Sequence, residues 1–386
     1  MPVDLVPVGP EPRDVLRALR LTLDGAGPAL ALGAATAPAP GATAPAGTAA
    51  VVTTSGSTGV PKSVVLSRSA LIASATATAA RIGEGRWLLA LAPGYVAGLQ
   101  VIVRGLLAGH EPAVLAGSFS PTAFAAVTAS MHSSVGGHRV PMFTSLVPAQ
   151  LSDLLDAAET DAAVARALRA YEAILVGGQS LPVAQRERAD AAGARIVRTY
   201  GSTETSGGCV YDGVPLDGVG VRIADGEVQL SGPVLADGYR GEPERTATAF
   251  VVDGGTRWYR TGDAGEFDGS GLRVTGRIDN VIVSGGVNVS LDRVEAVVRE
   301  QRGCEAAVVV PIADERWGQA SAIVVARAAL SGTGGDADRL LAGAREAVAD
   351  RLGKPARPAR IVTVERMPVL ESGKPDRAAV RRMLAI

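Results

Sequence analysis

Apolar positions along the chain recur in two periods, and the alternation between them predicts the architecture. The run Ala-Ala-Val-Val-Thr at 49–53 is short, β-branched and followed by Gly, Ser and Thr, which predicts a buried strand running into a loop. The chain resumes as a strand over 63–66, and helical spacing follows over 68–81 with Ser67 placed as its N-cap. The same rhythm predicts a strand at 87–91, a helix at 97–107, a strand at 113–115, and a helix over 121–130. That last helix is opened by Ser120 as cap and Pro121 at its first position. Strands at 173–176 and 195–199 flank a helix over 182–192. Alternating β and α elements predict a parallel sheet whose strand ends carry the loops of a site.

Beyond Gly213 the pattern shortens. Strands at 219–223, 227–230, 256–259 and 272–275, separated by Gly, Asp and Pro, predict a β-rich subdomain. A mixed pattern returns after Arg277: strand 280–283, helix 291–301, strands 305–310 and 322–326, and helix 336–352, with a loop insertion at 331–335. The expected fold class is therefore α/β. Residues 1–278 form a large domain of α/β layers with a β-rich subdomain, and residues 279–386 a small α+β domain. Residues 35–47, rich in Ala, Pro, Gly and Thr, read as a linker or exposed loop.

Composition narrows the classes of function. In 386 residues, 38 basic and 39 acidic side chains balance to a net charge of −1, which leaves no electrostatic footprint for nucleic acid. Two cysteines and three histidines argue against a disulfide framework, a thiolate or histidine metal centre, and a conventional triad. No apolar run has the length and continuity of a membrane span, and residues 1–10 lack the basic start of a signal peptide. A cytoplasmic protein is expected, with no membrane partner. Only three of the basic residues are lysine: Lys62, Lys354 and Lys374. In so arginine-rich a chain, a retained lysine suggests a place where a compact ammonium serves and a planar guanidinium does not.

Chemistry concentrates first in Thr54-Ser55-Gly56-Ser57-Thr58-Gly59-Val60-Pro61-Lys62, directly after a strand. Glycines that expose backbone N–H groups, clustered hydroxyls and a terminal lysine make a phosphate cradle. A nucleotide-binding P-loop of the G-x-x-x-x-G-K-[ST] type is excluded, because Pro61 takes the place of its second glycine and a strand follows instead of a helix.

This segment resembles the signature of the adenylate-forming superfamily, which comprises acyl- and aryl-CoA synthetases, adenylation domains and luciferases. Further segments carry the resemblance in order: Tyr200-Gly201-Ser202-Thr203-Glu204, Tyr259-Arg260-Thr261-Gly262-Asp263, and Gly276-Arg277-Ile278-Asp279-Asn280. Gly285-Gly286-Val287-Asn288-Val289 and Ser372-Gly373-Lys374-Pro375-Asp376-Arg377 complete the set. Only 53 residues precede the phosphate loop, fewer than in long fatty acyl-CoA synthetases. Residues 207–219 after Thr205-Ser206, together with 97–104, resemble the o-succinylbenzoate–CoA ligases of menaquinone biosynthesis. Their frequent histidine before the second segment is replaced here by Pro93-Gly94-Tyr95-Val96.

The resemblance implies an ATP-dependent acid–thiol ligase using Mg²⁺, with coenzyme A as co-substrate. Ser55, Gly56, Ser57, Thr58 and Gly59, with Thr54 and Lys62, would clasp the β- and γ-phosphates. Glu204 would ligate Mg²⁺, and Thr203 would donate to the α-phosphate. Tyr200 and Gly201, beside Gly177, Gly178 and Gln179, would take the adenine; Asp263 would take the ribose hydroxyls, and Arg277 the ribose or a phosphate. Gly285 and Gly286 would admit the pantetheine arm, Asp279 would be the hinge, and Lys374 would serve the first step. Tyr95, Arg104, Ser206, Gly207 and Gly208 would surround the acid, an aromatic dicarboxylate. A homodimer is compatible with this class. Alternatives are an aryl- or acyl-CoA ligase of other specificity, a carrier-protein-loading adenylation enzyme, and a non-catalytic nucleotide-binding relative.

Overall fold

The structure is a computed structural model of the full chain, and it describes all residues except 34–37, 55–60, 132–133, 136, 331–336, 371–373 and 385–386. The chain opens with elements that the hydrophobic pattern did not reveal: β1 (Val3–Pro7), α1 (Pro12–Leu23) and β2 (Ala29–Gly33). Two-residue β3 (Thr43–Ala44) pairs antiparallel with β1, so part of the expected linker is a sheet edge. Next come β4 (Thr48–Thr54), β5 (Lys62–Ser67), α2 (Arg68–Ile82), β6 (Arg86–Leu89) and α3 (Val96–Leu107). Ser67 caps α2 by accepting from the Ala70 N–H, and Ser120 likewise accepts from Ala123 at the head of the helix Pro121–Ser130.

Strands β1, β2 and β4 run parallel in one sheet, where β5 lies antiparallel to β4 and Gly238–Tyr239 covers the outer edge of β5. A second sheet orders its strands 214–215, 207–211, 196–202, 173–177, 142–146, β6 and 113–114. The last five of these run parallel to one another, so their C-terminal ends share one rim. One apolar core joins both sheets through α2 and α3, including Leu30, Leu66, Leu71, Leu99, Ile102 and Phe143. A second core, including Phe124, Leu151, Leu168 and Tyr171, fills the other face of the second sheet.

The β-rich part is a five-stranded sheet in which one strand, Thr256–Asp268, runs far beyond the four residues expected from the sequence. Its antiparallel partner Gly271–Arg277 leads into the last domain. There a second five-stranded sheet carries the helices Leu291–Arg299 and Ala337–Leu352 on one apolar core and Arg377–Met383 on another. The molecule is thus α/β, with a large N-terminal part, a β-rich subdomain and a smaller α+β domain. Among the described residues, no helix is long and apolar enough to cross a membrane.

Candidate active site

The rim of the second sheet supplies the first wall. Strand Ala173–Gly177 ends at Gly178, whose φ of +82° lies in the left-handed region. Gly177 packs so tightly that an added Cβ would stand 2.3 Å from Thr199 Oγ1. The neighbouring strand ends at Ser202 and turns through the short helix Thr203–Thr205, which is tied down by Ser202 N–H donating to Thr205 Oγ1 at 2.9 Å. This turn buries Glu204 at the base of the site, and Gln179 stands half-buried at its side.

Lys62, the first residue of β5, reaches across to donate to Glu204 Oε1, which also accepts from Tyr239 Oη at 2.9 Å. Burial by itself would raise the Glu204 pKa. The charge and hydrogen bond of Lys62, with help from Tyr239, outweigh burial and hold it below the usual value. Glu204 is therefore an ionised, buried oxygen donor. Among the described residues no group of three or more His, Cys, Asp or Glu could enclose a metal ion. A single carboxylate suits Mg²⁺, which keeps waters and takes phosphate oxygens for its remaining positions. The glycine- and hydroxyl-rich residues 55–59 lie outside the described residues.

The β-rich sheet supplies the opposite wall. Gly262, with φ +71°, lets its N–H donate to Glu227 Oε1 at 2.8 Å and leaves room for the Arg277 guanidinium. Asp263 then accepts from Tyr200 Oη at 2.6 Å and from Arg277 Nη1 at 3.2 Å. Burial pushes the Asp263 pKa up, against the pull of Tyr200 and Arg277. Arg277 also grips Asp279 with two nitrogens, at 3.0 and 3.1 Å. Tyr200, expected beside adenine, thus also ties the second sheet to Asp263.

Lys374 comes from the last domain, and its Cε lies 3.2 Å from where a Gly178 side chain would begin. Desolvation lowers its pKa, opposed by the nearby charges of Glu204 and Asp263 and reinforced by Lys62. Five residues widely separated in sequence, Lys62, Glu204, Asp263, Arg277 and Lys374, therefore converge on one cleft. Gly285 and Gly286 are not part of it. With φ of +57° and +80° they form the two-residue turn of a hairpin, exposed to solvent.

The sequence pattern of the AMP-binding enzyme family matches residues 9–242, and that of the AMP-binding enzyme C-terminal domain matches residues 293–374. The chain belongs to the AMP-binding enzyme family. A probable 2-succinylbenzoate–CoA ligase of Mycobacterium tuberculosis is 40% identical over 346 residues, covering 87% of this chain and 85% of that protein. The 2-succinylbenzoate–CoA ligase of Salmonella typhimurium is 32% identical, over 81% of this chain and 63% of its own length. Among solved structures, a variant of Escherichia coli MenE with bound OSB-AMS superposes with a TM-score of 0.68 at 27% identity, covering 91% of this chain and 71% of that one. The o-succinylbenzoate CoA synthetase of Bacillus subtilis, in complex with the acyl-adenylate OSB-AMP, shares the fold with a TM-score of 0.71 at 24% identity, covering 98% and 83%.

Next to the Glu204 turn lies a more apolar region. Ser206 (φ +53°) closes the short helix, and Gly207 (φ +104°) begins a strand that ends at Tyr211. A side chain at Gly207 would meet Gln100 Cγ at 3.2 Å and Val96 Cγ2 at 3.9 Å, and one at Gly208 would meet Tyr211 Cε1 at 3.2 Å. Val96, Gln100 and Arg104 recur every four residues and so share one face of α3. Tyr95, the N-cap residue of that helix, is half-buried at its head. Gln100 Oε1, Arg104 Nε and Ser206 Oγ are all buried and have no hydrogen-bond partner among the described residues. Arg104 does not reach Glu111, which pairs instead with Arg20 at 2.9 Å. Tyr239 and Tyr211 carry no signal of a role in the sequence; both are aromatic residues at strand positions, where packing is the ordinary explanation.

Proposed function

We propose that the protein activates o-succinylbenzoate with ATP and transfers the acyl group to coenzyme A. The observation that carries the acid assignment is Arg104: a buried guanidinium with no ion-pair partner among the described residues, on the helix face that meets Gly207. An unpaired buried charge is costly, so a site that retains one is suited to a ligand that brings the opposite charge. After the aliphatic carboxylate of o-succinylbenzoate is activated, its aromatic carboxylate remains to meet that arginine. The relatives named 2-succinylbenzoate–CoA ligases support the same reading.

In the first step, an oxygen of the aliphatic carboxylate attacks the α-phosphorus, the bond from that phosphorus to the bridging oxygen breaks, and pyrophosphate leaves. Lys62 and residues 54–59 hold the β- and γ-phosphates, Thr203 donates to the α-phosphate, and Asp263 accepts from the ribose. Arg277 stands beside the ribose, and Tyr200 with Gly177–Gln179 borders the adenine. Lys374 neutralises charge that gathers between the carboxylate and the α-phosphate. Glu204 is the residue that would hold Mg²⁺, which neutralises phosphate charge when bound. In the second step, the thiol sulfur of coenzyme A attacks the acyl carbonyl, its proton is lost, and AMP departs. Rotation about Asp279 would withdraw Lys374 and bring Gly285-Gly286 to the site for this step.

A pyrophosphate-release assay with a panel of acids tests the proposal. The panel is o-succinylbenzoate, 4-oxo-4-phenylbutanoate (which lacks the ring carboxylate), benzoate and octanoate, each with free coenzyme A. o-Succinylbenzoate should exceed every monoacid in kcat/KM by two orders of magnitude or about 3 kcal/mol, as expected when a buried charge loses its partner. In Arg104→Ala its KM should rise strongly while that of ATP stays unchanged. Equal turnover of a monoacid, or transfer only to a phosphopantetheinyl carrier protein, overturns the assignment.

A further inference from the structure

The surroundings of Arg104 are as informative as its lack of an anion. Its Nη2 donates to Tyr211 Oη at 3.3 Å, and Tyr211 Oη lies 2.9 Å from Thr78 Oγ1 on α2. The guanidinium carbon sits over the Trp87 ring, 5.1 Å from its centroid. Trp87, Tyr211 and Thr78 are all at most 2% exposed. A cleft of about 400 Å³ between α2 and α3 is lined by Thr78, Trp87 and Arg104. Glu84 also lines it but makes no ion pair with Arg104.

Each contact is neutral. An aromatic face attracts a cation without cancelling its charge. A phenol hydroxyl that is itself bonded to a threonine can fix one guanidinium nitrogen and leave the others directed elsewhere. A carboxylate in either position would have satisfied the arginine outright and removed its appetite for an anion. Tyr211 also closes the geometry from the other side, because its ring packs against Gly208 on the strand that begins beside Glu204.

We propose that Tyr211, braced by Thr78 and opposed by Trp87, is a positioning residue that aims Arg104 without neutralising it, and so limits the enzyme to acids that carry a second carboxylate. This rests on the assignment of Arg104 to the acid substrate. The cage imposes selection in two directions. An acid with a second anionic group at the right distance completes the coordination of the guanidinium. A monoacid of the same shape leaves the guanidinium desolvated and unpaired, so the cage works against it.

The test is Tyr211→Phe, which keeps the ring and its packing and removes one oxygen. The KM for o-succinylbenzoate should rise about tenfold, as for loss of a hydrogen bond to a charged group, with kcat and the KM for ATP unchanged. The kcat/KM for 4-oxo-4-phenylbutanoate should not fall, so the preference for the diacid shrinks. Thr78→Val, which loosens the brace and leaves the phenol, should move the same KM in the same direction by less. Arg104→Ala separates the two levels of the argument. If it raises the diacid KM but Tyr211→Phe and Thr78→Val do not, the cage proposal is overturned and the Arg104 assignment stands. If Arg104→Ala leaves the diacid KM unchanged, both are overturned. A Tyr211→Phe protein that loses diacid and monoacid activity equally has lost structure instead of aim, which also overturns the proposal.

Discussion

Replacing Lys374 with alanine removes the ammonium that stands over Gly178, between the carboxylates of Glu204 and Asp263 and facing Lys62. Desolvation already draws this lysine's pKa down, so its charge is held in a medium where it acts strongly on nearby anions. The attack of a carboxylate on a phosphate gathers negative charge at that place. Loss of one preorganised donor to such a charge costs about 3–4 kcal/mol, or a factor of about 10²–10³ in kcat. Adenylation, followed by pyrophosphate release with hydroxylamine as acyl acceptor, should fall by that factor. Thioester formation from supplied acyl-adenylate should stay within about twofold of the unmodified protein, because the proposed rotation would withdraw Lys374 in that step. Gly178→Ala offers a geometric check: its Cβ would press on Lys374 Cε at 3.2 Å, and its φ of +82° adds about 1–2 kcal/mol of backbone strain. It should slow adenylation selectively while retaining the lysine. Equal loss of both half-reactions in Lys374→Ala, in a protein of unchanged melting temperature, would refute the single-step role.

Asp279→Pro should preserve one half-reaction and abolish the other, because it fixes φ near −65° where the proposed pivot would turn; Asp279→Ala, which removes only the grip of Arg277, should retain both. Survival of both half-reactions in the proline variant would remove Asp279 as the pivot. The pH profile of adenylation should show a descending alkaline limb below the ordinary lysine range: the folded Lys374 pKa is lowered, so the required ammonium loses its proton earlier as pH rises. Thioesterification from supplied adenylate should lack that limb, and a shared limb would assign it to another group. Glu204→Gln should raise the Mg²⁺ concentration for half-maximal adenylation by at least tenfold, with a metal titration monitored by protection against thermal unfolding as an independent readout. An unchanged titration would take Glu204 out of the metal's coordination.

Much of the candidate site was legible because its residues belong to short sequence segments with unusual chemistry. Glycines with hydroxyls and a lysine after Thr54, or Thr-Gly-Asp after Tyr259, are combinations that ordinary packing does not require. The alternating core was legible for the same reason, since Ala49–Thr53 and Ala173–Val176 are nearly unbroken apolar strands. Other elements were hidden by composition. Val3–Pro7 and Ala29–Gly33 are interrupted by Asp4, Pro7 and alanines, and become strands by pairing with each other and with their other sheet neighbours. The strand at 256–268 carries Gly262 and Gly265 in its middle, which read as a break and in fact mark register shifts and close approaches. Tyr211, Trp87 and Thr78 could not be brought to Arg104 from the sequence, because their contacts span up to 133 positions and depend on the packing of two helices against a strand. The four-residue recurrence of Val96, Gln100 and Arg104 shows only that the three share one helix face.

The pairing of Lys62 with Glu204 has a consequence for how the nucleotide must arrive. In the structure these two ions satisfy one another. Under the proposed assignments, a triphosphate alone would draw Lys62 away and strand a buried carboxylate. A divalent cation alone would claim Glu204 and leave the ammonium without its counter-ion. Each partial occupant breaks a pair it cannot replace, whereas the metal–nucleotide complex supplies a new counter-ion to both residues at once. The exchange favours joint occupancy over either component singly, so the protein discriminates against uncomplexed nucleotide by the bond it must give up.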